Sequence, residues 1–424
     1  MRALRTIDIP LTHELLVEGG DARIRLEGGR NEYGCRPYPD PGLAQLGSST
    51  ASTISGCAFE AADALHERIA GHGVLGEFER IREEFFSLCG ISGIEGLNML
   101  FCASGTDAHQ LASGLARPAF TLMVSGSETG RGVPDALSGN EVYRLEIRDH
   151  EGRPRDCGKI DEEAMMLVES RVKRKTRVLV VLADVSKTGM IAPSISCVQE
   201  MKARFPDEVE VLVDACQFRL TPMTLKAYLG EGFMVAVTGS KFLTGPTFSG
   251  ALLVPGSRGR IFPSDHGKNI GLLLRWEAAL AELRAFRRIP DDVVEGFLSR
   301  FADAVRRRLE AAPFFVPLPV PELKRLNSGW DKVQTIFPFR LKGKGGVLDQ
   351  VAARRIHALL AEDLSGVSEQ EAAAFRCSLG QPVSCGALRI CSSARLVAEG
   401  VGDENAVIGQ ALLALDKTAL LLDL

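Results

Sequence analysis

Lys241 lies in the polar turn Thr238-Gly239-Ser240-Lys241, directly after an apolar run that is typical of a buried strand. A charged and unpaired lysine at such a position costs free energy. A neutral lysine amine can instead bond covalently to a carbonyl cofactor. We therefore predict that Lys241 carries such a cofactor, and that the hydroxyls of Thr238 and Ser240 can hold a phosphate group on it.

Three further polar turns have residue types that suit such a cofactor. Ser104-Gly105-Thr106-Asp107-Ala108 opens a helix, where free N–H groups favour a phosphate, although an ordinary N-cap fits equally well. Asp214-Ala215-Cys216-Gln217 follows a buried strand. If the cofactor contains a nitrogen ring, this aspartate can pair with the protonated ring nitrogen and make the ring an electron sink. The alternative for Asp214 is a plain loop aspartate. In the turn 183–189, side chains could reach a phenolic oxygen of the ring.

Short apolar runs alternate with helical patterns between residues 98 and 254. The run 177–185 is almost continuously apolar, as in a strand buried on both faces. This alternation predicts an α/β fold with a mostly parallel sheet covered by helices on both faces. Ligands bind such sheets at the carboxyl ends of the strands, where the polar turns fall. The seven predicted strands are 98–103, 122–124, 142–147, 177–185, 209–213, 233–237 and 250–254.

The pattern changes after residue 272, where long helical segments precede a Pro-rich joint and an α+β tail. We predict an N-terminal arm and substrate-lid segment at 1–75, a large cofactor-binding domain at 76–290 and a small C-terminal domain at 291–424. The predicted tail elements are helices 272–288 and 291–311, strand 333–341, helix 347–364, strand 388–391 and helix 404–422.

The N-terminal arm contains a segment rich in turn formers and aromatic residues, 31–41, and then a hydroxyl-rich run, 47–53. One interpretation is a surface arm with a helix cap. The other is a loop that closes over a substrate, with Arg36 and Tyr38 facing it. Residues 60–89 are predicted to be helical.

The composition excludes several classes of function. The formal net charge of −4 gives no basic excess for binding nucleic acid. No apolar run approaches the roughly 20 residues that span a bilayer, and the N-terminus lacks the apolar core of a signal peptide. The 10 cysteines and 7 histidines are scattered, without metal-ligand spacing. We expect a cytoplasmic protein with reduced thiols, no metal, and no nucleic-acid or membrane partner.

Together, in this order and spacing, the four turns resemble the fold-type I pyridoxal phosphate (PLP) enzymes, nearest to the class V aminotransferase and cysteine desulfurase branch. The resemblance covers roughly residues 95–290 and extends more weakly to the end. Its most specific parts are the motifs around Asp214 and Lys241, followed by Gly245-Pro246 and Ser249-Gly250-Ala251-Leu252. It implies the fold of the aspartate aminotransferase-like PLP-dependent transferases.

The resemblance also implies a role for each matching residue. Lys241 would bind PLP covalently and move protons at the substrate α-carbon, while Asp214 would pair with the pyridine nitrogen. Arg389, in Ala387-Leu388-Arg389-Ile390-Cys391-Ser392, would bind the substrate α-carboxylate; the alternative is a surface strand arginine. The remaining implied contacts are Gln217 and Ser186 with the phenolic oxygen, and Gly105, Thr106, Thr238 and Ser240 with the phosphate.

Two residues depart from the family pattern, and the role of a third is undecided. Thr129 falls near the position where many members stack a histidine or aromatic residue on the ring, and Ser240 replaces the histidine that often precedes the lysine. Cys377 lies where some desulfurases carry a nucleophilic cysteine; the alternative is a thiol without a function. By resemblance the enzyme is a homodimer, and the region Lys268-Asn269-Ile270-Gly271 is predicted to contact the second subunit.

These residues predict an enzyme that acts on an α-amino acid through an external aldimine. Because the stacking position is unusual, a lyase or side-chain-exchange reaction is favoured over an aminotransferase. The alternatives are an aminotransferase, a cysteine desulfurase-like enzyme with Cys377 as nucleophile, and a non-catalytic PLP-binding protein. The intact set Lys241, Asp214 and Arg389 argues against the last of these.

Overall fold

The computed structural model describes residues 10–130, 132–137, 139, 141–256, 269–327 and 329–422. Strands and helices are numbered in chain order. The strands are β1 Ala44–Leu46, β2 Asn98–Cys102, β3 Phe120–Val124, β4 Glu141–Leu145, β5 Val178–Asp184, β6 Ile191–Ala192, β7 Val209–Ala215, β8 Met234–Thr238, β9 Gly250–Val254, β10 Phe315–Pro317, β11 Ile336–Gly343, β12 Gly346–Val347, β13 Cys377–Leu379 and β14 Leu388–Cys391.

The helices range from single turns to a helix of 20 residues. They are α1 Thr12–Leu15, α2 Gly56–His72, α3 Glu77–Leu88, α4 Gly105–Ala116, α5 Val133–Ala136, α6 Cys157–Val172, α7 Ile195–Arg204, α8 Pro222–Gly230, α9 Ile270–Arg287, α10 Asp291–Glu310, α11 Gln350–Leu359, α12 Glu371–Ala374, α13 Ala394–Gly402 and α14 Glu404–Leu420.

The largest sheet has the strand order β2-β9-β8-β7-β5-β3-β4, and the two-residue strand β6 pairs with β5 beside this path. Within the path β9 runs antiparallel to both of its neighbours, and the other pairs are parallel. The prediction of a mostly parallel sheet is confirmed. The sheet has eight strands rather than the predicted seven, because the sequence did not predict the short strand β6.

Strand β5 shows why this sheet is covered on both faces. Its seven residues are all buried. Val180 and Leu182 belong to one hydrophobic core and Leu179 and Val181 to a second, because successive side chains of a strand point to opposite faces. Helix α4 packs on the second core through its alanines, and α6 and α7 pack on the first.

The C-terminal part forms a four-stranded antiparallel sheet, in which β11 pairs with β10, β12 and β14. Helix α10 begins just after Pro290, so the predicted domain boundary near residue 290 falls between α9 and α10; the division into domains stays a prediction. Parallel pairing of β1 with β13 attaches the N-terminal segment to this C-terminal part.

Some elements differ from the sequence-based prediction. The predicted helix 60–89 is two helices, α2 and α3, because Gly73 and Gly76 between them adopt φ values of 82° and 83°, which favour glycine. The predicted helix 347–364 is shorter, at Gln350–Leu359. In the described part of the chain, no helix is both long enough and apolar enough to cross a bilayer.

Candidate functional site

A cavity of about 650 Å³ lies at the carboxyl ends of the central strands. Residues that follow β2, β3, β5, β7 and β8 line it, as the rule for ligand sites on such sheets predicts. The N-terminal segment and the residues around β14 close it from the other side. Its lining therefore brings together chain segments from both ends of the sequence, including Thr50, Gly105, Asp214, Lys241 and Arg389.

Lys241 follows β8 by three residues and lines the cavity. Its Nζ donates a hydrogen bond of 2.5 Å to the carbonyl oxygen of Thr50. Burial, together with the positive charge of Arg389, lowers the pKa of Lys241 to about 8. A usable fraction of the amine is therefore neutral near neutral pH and can act as a nucleophile.

Asp214 is the penultimate residue of β7, and His109 of α4 lies beside it. The His109 Nε2 is 3.4 Å from Asp214 Oδ2, while Nδ1 is 2.7 Å from the carbonyl oxygen of Gly105. Burial opposes charge on both side chains, but their mutual attraction outweighs it. The pKa of His109 is raised and the pKa of Asp214 is lowered, so each side chain favours the charged form of the other.

Cys216 completes the same end of the cavity. A ring nitrogen of His109, a carboxylate oxygen of Asp214 and the Cys216 sulfur lie within 4.8 Å of one another. Burial raises the pKa of Cys216 well above its usual value, so its sulfur is a thiol. This end of the cavity accordingly offers one ionised carboxylate, that of Asp214, to a cationic ring nitrogen.

The N-terminus of α4 lies beside Cys216 and also lines the cavity. Gly105 and Thr106 begin this 12-residue helix, so unpaired N–H groups and the helix dipole face the cavity. A Cβ at Gly105 would lie 2.8 Å from the Cys216 Sγ, so only glycine allows the backbone this approach. Thr238 also lines the cavity, with its Oγ1 donating to the Cys216 carbonyl oxygen at 2.6 Å.

Ser240 and Ser186, which were predicted to contact the phosphate and the phenolic oxygen of PLP, do not line the described cavity. The structure buries Ser240 completely and places it outside the described cavity lining. Ser186 is also buried outside the cavity lining, and its Oγ donates to Glu128 Oε2 at 2.8 Å. Gln217 does line the cavity; its Nε2 donates to the Ser49 carbonyl oxygen at 3.0 Å, and its buried Oε1 has no hydrogen-bond partner among the described residues.

The loop after β3 shows what occupies the expected ring-stacking position. The Thr129 hydroxyl turns back to the Ser125 carbonyl oxygen at 3.2 Å. Glu128, which the sequence analysis missed, lines the cavity and accepts a hydrogen bond of 2.6 Å from Thr188 Oγ1. Its Oε1 also lies 3.3 Å from Arg148 Nε. A hydrogen-bonded carboxylate and a threonine thus form this wall; residue 131 lies outside the described residues.

Arg389 is buried in β14, and its guanidinium lines the cavity. Its Nη2 donates to Thr50 Oγ1 at 2.9 Å and to the carbonyl oxygen of Gln381. Its Nε has no hydrogen-bond partner within the part of the chain that is described. Burial lowers the pKa of Arg389 from its ordinary value. A buried guanidinium held by neutral oxygens is suited to bind a carboxylate.

Solved structures with the same architecture cover most of the chain. A NifS-like protein from Rickettsia africae ESF-5 has a TM-score of 0.60 at 14% identity, over 89% of this chain and 99% of that one. Serine palmitoyltransferase from S. paucimobilis, with a bound PLP–myriocin aldimine, has a TM-score of 0.54 at 14% identity, over 89% and 88%. This is the fold of the fold-type I PLP enzymes. The resemblance drawn from the motifs is therefore confirmed for the fold. No protein-family model and no curated protein matches the sequence.

On this PLP-enzyme fold, Arg36 and Tyr38 lie outside the described cavity lining. The Arg36 guanidinium sits 5.8 Å from the centre of the Tyr38 ring, and Tyr38 is 41% exposed. The mouth is lined instead by Arg23 and Tyr33, which were not singled out in the sequence. Arg23 Nη1 donates to the Tyr33 hydroxyl at 3.0 Å, and its guanidinium forms an ion pair with Asp21.

Two further predictions concern Cys377, as a possible nucleophile, and the region 268–271, as a possible subunit contact. Cys377 is fully buried in β13, opposite Ala44 of β1, and burial raises its pKa to about 12. It does not belong to the described cavity lining. Lys268 lies outside the described residues, while the Asn269 side chain caps α9 by accepting from the Leu272 N–H at 3.0 Å.

Proposed function

We propose that this protein is a PLP-dependent enzyme that acts on an α-amino acid, by a lyase or side-chain-exchange reaction. The observation that carries the proposal is the single cavity that joins Lys241, Asp214, the N-terminus of α4 and Arg389. These residues offer an amine that can react with the PLP aldehyde, an anion that can pair with the ring nitrogen of PLP and N–H groups that can bind its phosphate. The guanidinium can bind the substrate carboxylate. The proposal includes a homodimer, as the resemblance implies.

An unsatisfied buried acceptor supports the fit of PLP to this cavity. The buried Gln217 Oε1 has no hydrogen-bond partner among the described residues. PLP bound here would supply an electron sink for charge that develops at the substrate α-carbon.

The chain's own residues would then perform the remaining steps. Arg389 binds the α-carboxylate and fixes the orientation of the α-carbon, since a bidentate pair restrains both position and rotation. The Lys241 amine holds or moves a proton at that carbon, because its pKa of about 8 suits both directions of transfer. Asp214 keeps the ring nitrogen protonated by pairing with it.

A panel of α-amino acids added to the PLP-loaded protein tests the proposal. We expect one or a few of them to change the visible absorbance and to be consumed, with release of a side-chain fragment or exchange of the side-chain substituent. Accumulation of a 2-oxo acid, with the cofactor left in its amine form, would instead identify an aminotransferase. A protein that binds PLP but leaves all amino acids unchanged would contradict the proposal and favour a non-catalytic PLP-binding protein.

The desulfurase alternative has its own test in Cys377. Because the thiol is buried and its pKa is about 12, we expect Cys377→Ala to keep kcat within about twofold and to cost about 1 kcal/mol of stability. Cys89→Ala is the matched control, since Cys89 is equally buried, with a pKa also raised to about 12. Sulfide release from cysteine that disappears in Cys377→Ala but not in Cys89→Ala would make Cys377 the nucleophile.

A further inference from the structure

Thr50 contacts two of the principal side chains of the cavity at once. Its Oγ1 accepts a hydrogen bond from Arg389 Nη2 at 2.9 Å and another from the Gln381 N–H at 3.2 Å. Its carbonyl oxygen accepts from Lys241 Nζ at 2.5 Å. Thr50 itself lines the cavity. A single residue of the N-terminal segment thus joins the proposed carboxylate-binding group to the proposed cofactor-binding amine.

The segment that carries Thr50 is held independently of the Thr50 hydroxyl. The Ser49 carbonyl oxygen accepts from Gln217 Nε2 at 3.0 Å, and Ser48 Oγ donates to the Ser392 carbonyl oxygen at 2.9 Å. Strand β1, just before it, pairs with β13. Because these bonds fix the backbone that leads into Thr50, we expect removal of one hydroxyl to leave the segment in place.

The surroundings of Arg389 give the Thr50 hydroxyl its importance. Among the described residues, the guanidinium donates hydrogen bonds to neutral oxygens, namely Thr50 Oγ1 and the carbonyl oxygens of Gln381 and Lys187. The carbonyl oxygens belong to the backbone. The hydroxyl of Thr50 is therefore the one side-chain group among these partners that sets the direction of the guanidinium.

We propose that Thr50 is a positioning residue that orients Arg389 toward the substrate α-carboxylate and holds the Lys241 amine at the same point of the cavity. This inference rests on the proposed function, in which Arg389 binds the carboxylate. It gives a role to the hydroxyl-rich run 47–53, for which the sequence leaves a helix cap and a substrate-covering loop as alternatives. A carboxylate that enters the cavity meets a guanidinium whose rotation is already restricted, so less entropy is lost on binding.

The test compares Thr50→Val, which removes the hydroxyl at nearly constant shape, with Thr50→Ser, which keeps it. Binding of propionate, a carboxylate without an amine, to the PLP-loaded protein is measured by calorimetry. We expect Thr50→Val to weaken propionate binding by up to about 10-fold, because a guanidinium that is no longer held must lose its side-chain freedom on binding. Thr50→Ser should stay within about threefold of the unmodified protein, because it retains the hydrogen bond to Arg389.

Two further measurements separate this inference from the proposed function. Propylamine, which has no carboxylate, should bind equally to both Thr50 variants, whereas a general loss of structure would weaken both ligands. Arg389→Ala should abolish propionate binding. If Arg389→Ala binds propionate normally, the carboxylate role of Arg389 is wrong, and the role of Thr50 falls with it.

The inference alone is overturned if Arg389→Ala loses propionate binding while Thr50→Val binds it like the unmodified protein. It is also overturned if Thr50→Ser is as weak as Thr50→Val, because the hydroxyl would then have no part in the effect. Should valine prevent folding, Thr50→Ala removes the same hydroxyl without adding bulk, and the same comparison with Thr50→Ser applies.

Discussion

Replacing Lys241 by alanine is expected to abolish covalent attachment of PLP and to lower kcat on an α-amino acid by about 10²- to 10⁴-fold. An ordinary lysine, with a pKa of 10.5, would be almost fully protonated at neutral pH and unreactive toward an aldehyde. Burial beside Arg389 brings the pKa of Lys241 to about 8, so a usable fraction is neutral. The same amine is the proposed proton carrier at the α-carbon.

The measurement is the visible absorbance of the PLP-loaded protein, followed by borohydride reduction and peptide mapping. Lys187→Ala provides the matched control, because Lys187 is the other lysine that lines the described cavity. In that variant the label should remain on Lys241. Absorbance that persists unchanged in Lys241→Ala, or a label that maps to Lys187, would show that the wrong lysine has been assigned.

The central sheet could be predicted from the sequence because its strands have a local signature. The run that becomes β5 is apolar at successive positions, which a strand buried on both faces requires. Asp214 and Lys241 stood out because each is an ionisable side chain directly after such a run. Burial and strand ends are properties of neighbouring residues, so one stretch of sequence is enough to reveal them.

The contacts that complete the cavity depend on residues far apart in the chain. Thr50 and Arg389 are separated by 339 positions, and the pairing of β1 with β13 brings them together. Both strands have only three residues, too few for a periodic pattern. His109 had no signal either, because its position beside Asp214 follows from the packing of α4 on the sheet.

A side chain to which a motif assigns a role can instead be buried or hydrogen-bonded to another protein group. Ser186 stands at the position that the resemblance assigns to the phenolic oxygen, yet its hydroxyl donates to Glu128. Cys377 stands in a plausible sequence position for a nucleophile, yet it lies within a strand that the sequence did not predict. In both cases tertiary packing decides which atoms are free to react, and the motif alone does not contain that information.

Asp214→Asn is expected to lower kcat by about 10²- to 10³-fold while PLP stays bound through Lys241 and the α4 N-terminus. The amide keeps the shape of the side chain but loses the negative charge. A neutral partner no longer favours a protonated ring nitrogen, so the ring accepts less charge from the α-carbon. The carboxylate also raises the pKa of His109, and the substitution would remove that effect as well.

The experiment measures kcat and KM together with the stoichiometry of bound PLP. Glu210→Gln is the matched control, because it removes a carboxylate from the start of the same strand, β7, far from the cavity end. We expect that variant to retain kcat within about twofold, because it changes no group that lines the cavity. A fall in kcat of less than about threefold in Asp214→Asn, with PLP fully bound, would show that the carboxylate does not act on the ring nitrogen.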